Sequence, residues 1–431
     1  MRAGGWRGLV RNTGWLLSGK TVGAILSFFY LGLATRSLGP TGFGQFTLVL
    51  GTAQAIATLV TFESWQVLVR YGMSRLQTHD NAGLGRLIAF CVALDLGGAV
   101  VGCLIAVGAV AVLTPIFDWS ADLRDQALLF CFVLLLCTRS AATGVLRLHD
   151  RFGAAAFAET ITPVLRLLGA LVVVWQGATI IGLLAAWAVA DIVTALVYWR
   201  GAIQTVPVRQ WHWHGVATIP AEIPGLWRYA AMVNATASLG LVGRQLAVLM
   251  VGAWVGPAAA GGYRLAHQLG QALANITDML SRATFSELMR TRAGQTATEL
   301  AQLFRRASLI ALITATVMIV LVVLAGPTLL ALLAGPGYDA AVPLLMLLGT
   351  AAALDAAGVS FEPALIATDR AWLALRLRIL STAVLLGGLV LLLNEYGPIG
   401  AAAATAIASA LTLLLLGFAA WRAIHLSSRK E

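Results

Sequence analysis

Five basic residues interrupt apolar stretches long enough to cross a membrane: Lys20, Arg139, Arg166, Arg244 and Arg264. Each costs at least ~2.5–3.5 kcal/mol near the bilayer centre if it faces lipid, so each is expected to face protein or water. Arg presents a bidentate fork to phosphate and Lys a compact charge, so the chemistry these side chains suit is holding an anion. By position, Arg264 falls near the outer mouth, Arg244 and Arg166 near mid-depth, and Lys20 and Arg139 nearer the cytoplasm. That spread suits an anionic group moving across the membrane. Arg264 also begins a polar stripe at helical spacing, continued by His267, Gln268, Gln271, Asn275, Asp278 and Arg282.

Seven acids share the apolar stretches: Glu63, Asp95, Glu159, Asp191, Asp278, Asp355 and Glu362. Arg139, Glu159, Arg166 and Asp191 therefore also read as an ion-pair network bracing one part of the protein. Arg264 also reads as an anchor at the outer interface beside Tyr263. Asp278 and Glu63 are the acids placed to carry a coupling H+ or Na+.

The elements that must position these residues follow from composition and length. The chain has 431 residues, 59% hydrophobic and 11% charged, with a mean hydropathy of +0.85. No soluble domain hides that much apolar surface, so the fold expected is an all-α polytopic membrane protein. A bilayer core of ~30 Å needs ~20 apolar residues per helix. Such spans fall at 13–36, 44–69, 87–113, 126–146, 154–175 and 179–199, then at 229–255, 260–286, 303–333, 341–367, 372–393 and 398–421. Twelve helices result. Residues 1–200 form a first six-helix bundle, 201–228 a cytoplasmic linker and 229–431 a second bundle. Pro163, Pro327, Pro343 and Pro363 lie within spans and mark possible bends.

The two bundles read as copies of one another. Gly39-Pro40, Gly44 and Phe46 line up with Gly256-Pro257, Gly261 and Tyr263 at an offset of 217. Asp150-Arg151 matches Asp369-Arg370 at 219, and Ile181-Gly182 matches Ile399-Gly400 at 218. Three matches in one register argue for an internal duplication. Glycine supplies the turn between helices and proline cannot continue the first of them. An offset of six spans keeps both copies in the same orientation, the parallel-repeat plan of alternating-access transporters, with substrate expected between the halves around a central cavity. Polar faces point to the first, second, seventh and eighth spans as its wall: Thr13, Lys20 and Ser27; Thr47, Gln54, Thr58 and Thr61; Asn234, Ser238, Arg244 and Gln245; and the stripe on the eighth.

Charge sets the orientation. With a cytoplasmic N-terminus, twenty-two of the 29 basic residues fall at cytoplasmic ends, and only Arg36 and Arg124 lie outside. Both termini are expected in the cytoplasm. The net charge of +10 follows from this topology, with the basic residues next to an anionic inner leaflet of membrane lipids and no nucleic acid required. The first span is too long for a cleavable signal and reads as an anchor. Cys91, Cys103, Cys131 and Cys137 all sit in spans and read as packing residues. Trp211-His212-Trp213-His214 reads as an interfacial aromatic cluster, since its two histidines lack further metal ligands. Arg36 and Arg70 lie at helix ends, where they can snorkel. No Walker A motif is present, and no cofactor is implied.

The segment Ala34-Thr35-Arg36-Ser37-Leu38-Gly39-Pro40, followed by Phe43-Gly44-Gln45-Phe46, resembles the polysaccharide-biosynthesis (Wzx-type) flippases of the multidrug/oligosaccharidyl-lipid/polysaccharide (MOP) superfamily. Asn12, Trp15-Leu16, Gly19-Lys20 and Arg70-Tyr71-Gly72 extend the resemblance. It covers the whole chain in architecture, while the specific matches lie mostly within the first 75 residues. It implies translocation of undecaprenyl-diphosphate-linked oligosaccharide, an O-antigen or exopolysaccharide unit, from the cytoplasmic to the periplasmic leaflet of a bacterial inner membrane. It also implies association with other envelope-polysaccharide assembly proteins. Only Lys20 and the Gly39-Pro40/Phe43-Gly44 turn carry over residue by residue. Three other readings compete. An ion-coupled drug antiporter of the same superfamily calls for acids in the cavity, where Lys20, Arg244 and Arg264 stand. A polymerase or ligase calls for a large external catalytic loop, and the longest external loop is Thr114–Asp125. A scaffold leaves the polar stripes without use. Transport, not catalysis, is the expectation.

Overall fold

The computed structural model describes the backbone of all residues except 1–3, 242–244, 291–296, 359–360, 362–364, 366–370 and 428–431. Side chains are further left out at 4–22, 24, 236–237, 241, 275–290, 297–308, 310, 371 and 423–427.

Every regular element among the described residues is helical. In chain order they are α1 (Gly4–Val60), α2 (Ser64–Gln77), α3 (Asn81–Ile116), α4 (Ala121–Leu136), α5 (Ser140–Leu148), α6 (Phe152–Gln176) and α7 (Ile180–Thr205). Then come α8 (Ile219–Glu222), α9 (Leu226–Leu241), α10 (Ala247–Val255), α11 (Pro257–Arg290), α12 (Ala297–Ala334), α13 (Val342–Ala357) and α14 (Ala371–Ser427). Eight stretches among the described residues are long and apolar enough to cross a membrane. Two of them, Ile25–Gln77 and Trp372–Arg422, have 53 and 51 residues, enough for two crossings each. The seventh and eighth spans of the sequence, now α9–α10 and α11, run into residues 242–244 and 275–290, which lie outside the described backbone or side chains. Leu104, Trp175, Leu324 and Leu391 project from the bundle surface, as expected where lipid replaces water.

At three Gly-Pro pairs among the described residues one helix passes straight into the next. Gly39 (φ 66°), Gly256 (φ 110°) and Gly397 (φ 58°) lie on the positive-φ side that a Cβ disfavours. Pro40, Pro257 and Pro398 then open the next helix, where a missing N–H is no loss. Gly39 and Gly397 fold α1 and α14 into two helices each. Pro163 and Pro327 lie inside continuous helices, Pro343 stands in the first turn of α13, and Pro363 is outside the described residues.

The real interruptions carry no proline. The second span opens at 61–63, between α1 and α2, and the fourth at 137–139, between α4 and α5. Such breaks persist in a membrane only where neighbours take up the freed backbone groups. Here the Trp65 N–H donates to Ser140 Oγ (3.2 Å), the Ala141 N–H to Asp95 Oδ2 (2.8 Å) and the Trp199 indole to the Thr138 carbonyl (2.9 Å). Gly144 lets the two restarted helices meet, since a Cβ there would lie 2.9 Å from the Trp65 Cα.

By contacts, the chain divides into one unit of 1–39 and 48–241 and a second of 40–47 and 242–431. In the first, α2 packs on α5, α3 on α4 and α6 on α7. Its core of Leu68, Leu87, Ile88, Val145 and Leu146 takes in Ile219 and Leu226 from the segment after α7. In the second, α13 is central and touches α11, α12 and α14.

Candidate functional site

The densest polar group of the first unit joins α5, α6 and α7. Asp191, 5% exposed, receives Arg166 Nη2 at 3.0 Å and Arg139 Nη1 at 3.8 Å. Two guanidiniums thus share one carboxylate and leave a net charge of +1. Arg166 also lies over the Trp187 ring (5.5 Å) and Arg139 over Tyr198 (5.9 Å), so the cations rest on aromatic faces instead of lipid. Arg139 stands at the break, just before the first turn of α5, with 40% of its side chain exposed. Arg166 is 16% exposed. One cation is therefore structural in its surroundings, and the other is open enough to hold an anion. Glu159, read from sequence with these three, stands outside the triad.

Glu63 lies at the other break, where its carboxylate accepts the Trp65 indole N–H. Arg147 covers that same ring at 4.1 Å. Asp95 occupies the space beside both breaks, with the Ser64 and Thr138 hydroxyls against its carboxyl. Sequence reading placed Asp95 in a span but gave it no partner, because both breaks are silent in a hydropathy pattern. The signals available were the polar runs Glu63-Ser64 and Thr138-Arg139-Ser140 in mid-span.

In the second unit the stripe on α11 is a real face. Arg264, His267, Gln268 and Gln271 are half-buried, while Leu265, Ala266, Leu269 and Gly270 between them are buried. Arg264 Nη1 donates to Gln245 Oε1 at 3.0 Å, tying α11 to the residues just before α10. Tyr263 is not interfacial: it is fully buried, with its hydroxyl 2.9 Å from Thr405 Oγ1. Arg244 and the side chains of Lys20, Asn275 and Asp278 lie outside the described residues. The structure thus joins Arg139 with Arg166, and separately Arg264, His267 and Gln271 along one face.

The repeated turn also closes on itself within this unit. Gly44 packs so tightly on the chain after Gly256 that a Cβ would lie 1.9 Å from the Pro257 carbonyl oxygen. Opposite it, a Cβ on Gly261 would lie 3.1 Å from the Gly44 Cα. The equivalent glycines face each other: Gly44 has no room for a side chain, and Gly261 has little.

Residues 206–225 fold onto the first unit. Trp211 is nearly buried, 6.0 Å from the Trp199 ring, whereas Trp213 is exposed. Arg70 is held over the Tyr229 ring at 4.3 Å. Glu222 accepts from Thr218 Oγ1 (2.8 Å), Arg75 (3.1 Å) and Arg86 (3.4 Å). The Thr218 hydroxyl, then Arg86 and Arg75, hold its carboxyl below the usual range. A depressed folded pKa gives stability that is present above the ordinary glutamate range and lost as pH falls through it. Glu222→Gln should therefore cost about 0.2–1 kcal/mol at pH 7, as for other exposed pairs. The gap from wild type in thermal unfolding should close toward pH 4 and shrink in high salt. A gap independent of pH would remove the carboxylate from the explanation.

Long helices folded at Gly-Pro turns, two broken spans and intramembrane guanidiniums make an all-α polytopic membrane fold, and solved structures share it. A multidrug resistance MATE family transporter of the MOP superfamily in an inward-facing conformation gives a TM-score of 0.71 at 14% identity, covering 94% of this chain and 96% of that one. Lipid II flippase MurJ in an inward closed conformation gives 0.68 at 12% identity, over 96% and 90%. A family model described as polysaccharide biosynthesis protein matches residues 9–285, and the chain belongs to that family. Inner membrane protein YghQ of Escherichia coli (strain K12) is 28% identical over 294 residues, 67% of this chain and 82% of that protein.

Proposed function

We propose that this protein is a flippase that carries an undecaprenyl-diphosphate-linked oligosaccharide from the cytoplasmic to the periplasmic leaflet by alternating access. It acts in the bacterial inner membrane, with both termini cytoplasmic, and moves its substrate without chemical change. The observation that carries this is the cation surplus at Asp191: Arg139 and Arg166 share one carboxylate, and Arg139 remains open. A diphosphate suits a half-exposed guanidinium on a tyrosine face, because its charge is concentrated and its oxygens accept in pairs. The further residues we assign to headgroup binding are Lys20, Arg244, Arg264, His267, Gln271 and Asn275. The family supports a glycan-linked substrate, and the inner-membrane relative supports the location. Envelope-polysaccharide assembly proteins are the partners that would supply and receive the lipid. An ion-coupled antiporter of the same superfamily is the second reading, favoured by the likeness to the MATE transporter. Bulky organic cations would meet repulsion at Arg139.

The test is a leaflet assay in proteoliposomes holding a diphosphate-linked glycolipid, with headgroup exposure read by an external sugar-modifying enzyme. Wild type should move the lipid. Arg139→Ala, which keeps the Arg166–Asp191 pair, should slow it about ten-fold or more, the loss expected of one charge-assisted hydrogen bond. No movement by wild type across several glycans, with ion gradients and a potential applied, would sink this reading and advance the antiporter.

A further inference from the structure

We propose that Arg147, seated on the Trp65 ring, joins Arg139 in a two-cation site for a diphosphate group. The pair makes the protein prefer diphosphate lipids to monophosphate lipids. The site deepens the flippase reading and rests on it for the ligand's being a lipid.

The site follows the open side of α5. Ala141, Ala142, Gly144, Val145, Leu146 and Leu148 are all buried. Arg139, Thr143 and Arg147 are partly exposed, and they advance by four and four, so they stack along one side of the helix. Thr143 Oγ1 donates to the Arg139 carbonyl at 2.9 Å, and Ser140 Oγ receives the Trp65 N–H at 3.2 Å. The charged donors left on this side are the two arginines.

α2 runs beside α5 in the same direction. Trp65 meets Ser140, a Cβ on Gly144 would lie 2.9 Å from a Leu68 methyl, and a Cβ on Gly72 would lie 2.9 Å from a Leu148 methyl. Trp65 therefore stands level with the first turn of α5, whereas Arg147 belongs to the last. Yet the Arg147 guanidinium lies over the Trp65 ring, 4.1 Å from its centre. The side chain thus points back along α5 toward Arg139, the direction in which a helix tilts its long side chains. Their Cα atoms are about 12 Å apart along the axis at 1.5 Å per residue, and the backward reach of Arg147 narrows that gap.

The ring is a fixed platform. Its backbone N–H is held by Ser140, and its indole N–H by Glu63. A cation over an aromatic face is held by the π-system, so the N–H groups in the guanidinium plane stay available to a ligand. Arg147 makes no ion pair and no side-chain hydrogen bond among the described residues, while Arg75, Arg86, Arg124 and Arg166 each have a carboxylate. The acids around α5 are engaged otherwise: Asp191 by Arg166 and Arg139, Glu63 by Trp65, and Asp95 by the Ala141 N–H. Arg139 repeats the design, resting on Tyr198 at 5.9 Å with a loose 3.8 Å contact to Asp191. Two guanidiniums on aromatic platforms, along one side of one helix, offer two forks. A monophosphate fills one of them, and a diphosphate has a phosphoryl group for each. The order also suits entry from the cytoplasm, with Arg147 at the end of α5 and Arg139 at the break.

The test is competition binding to the purified full-length protein in detergent, with radiolabelled farnesyl diphosphate as the probe. Farnesyl monophosphate has the same tail, so the ratio of the two affinities isolates the headgroup. Wild type should bind the diphosphate about ten-fold or more tightly than the monophosphate, the worth of a second charge-assisted contact. Arg147→Ala should abolish most of that preference and leave monophosphate binding nearly unchanged. It should fold, since Arg147 is partly exposed and unpaired among the described residues. Arg147→Lys keeps the charge and should restore only part of the preference, for want of a planar fork. Trp65→Leu should mimic Arg147→Ala and add nothing to it in the double variant, because the ring acts only by placing the guanidinium. Arg124→Ala, at the exposed pair with Asp125, should alter neither affinity. Equal affinity of wild type for the two lipids overturns the site, and so does a loss in Arg147→Ala that is the same for both. Inorganic pyrophosphate should compete far more weakly than farnesyl diphosphate; equal competition makes the ligand a soluble diphosphate and overturns the lipid assignment. An Arg147-dependent preference in a protein that moves no glycolipid keeps this site and discards the flippase. Glycolipid movement by a protein without that preference does the reverse.

Discussion

Asp191→Ala should destabilise the protein by about 3–5 kcal/mol, the range for breaking a buried ion pair by removing one partner. The reason is asymmetric burial. Asp191 is 5% exposed and Arg166 only 16%, so loss of the carboxylate strands a guanidinium that cannot reach water. Arg139, 40% exposed and 3.8 Å away, can relax outward, so Arg139→Ala should cost much less than Asp191→Ala. Removing both buried charges with apolar residues of similar size, Asp191→Leu with Arg166→Met, should recover most of the loss, because the penalty comes from the unpaired charge and not from a missing contact. The measurement is reversible unfolding in mixed micelles. If Asp191→Ala falls within 1 kcal/mol of wild type, Arg166 has another partner and the net +1 assigned to this triad is wrong. The same series bears on function: the double replacement should fold yet transport poorly, since it removes the structural cation and the balance that holds Arg139 in place.

What could be read from the sequence divides by the range of the signal. Span length is a local property, so apolar runs mark the crossings, and eight stretches among the described residues, two of them long enough for two crossings each, are helices of that kind. The Gly-Pro turns are only partly local: glycine permits the positive φ of Gly39 and Gly256 and proline opens the next helix, yet Gly326-Pro327 stays inside α12. Gly397-Pro398 obeys the same rule, although the repeat pairs its neighbourhood with Ile181-Gly182. The stripe on α11 is visible because helical spacing alone puts Arg264, His267 and Gln271 on one face. Pairings are harder. Arg139, Arg166 and Asp191 could be grouped as members of neighbouring spans, but nothing in their spacing separated Glu159 from them or set which cation would be buried. The breaks at 61–63 and 137–139 were least visible. Proline is the textual mark of a break, and the prolines sit elsewhere. These breaks exist because of donors and acceptors far away in sequence, Asp95 for Ala141 and Trp199 for Thr138. Hydropathy averages over three polar residues in a run of twenty and sees a continuous helix.

Gly44→Ala should be, with Gly400→Ala, among the most damaging single-methyl changes at the described glycines. Added bulk in a well-packed core ordinarily costs about 1–3 kcal/mol, because side chains shift to make room. Here the obstruction is backbone: the new Cβ would lie 1.9 Å from the Pro257 carbonyl oxygen and 2.3 Å from its carbon, and no rotamer relieves it. Pro257 is in turn fixed by its ring at the head of α11, immediately after Gly256 at φ 110°. The loss should therefore reach or exceed the upper end of that range, and folded protein should be scarce in detergent extracts. Gly97→Ala is the matched control. It adds the same methyl to a helix interior with nothing within 4 Å. Alanine there should be neutral or stabilising by about 0.5–1 kcal/mol, since glycine in a helix loses more backbone entropy than alanine. Gly261→Ala meets Gly44 at 3.1 Å and should fall between the two. Unfolding temperatures and monodisperse yield for the three variants give the ranking. If Gly44→Ala unfolds like Gly97→Ala, the repeated turns do not meet at their glycines, and the duplicated Gly-Pro segment is only a pair of helix turns rather than a packed contact between equivalent pieces of the chain.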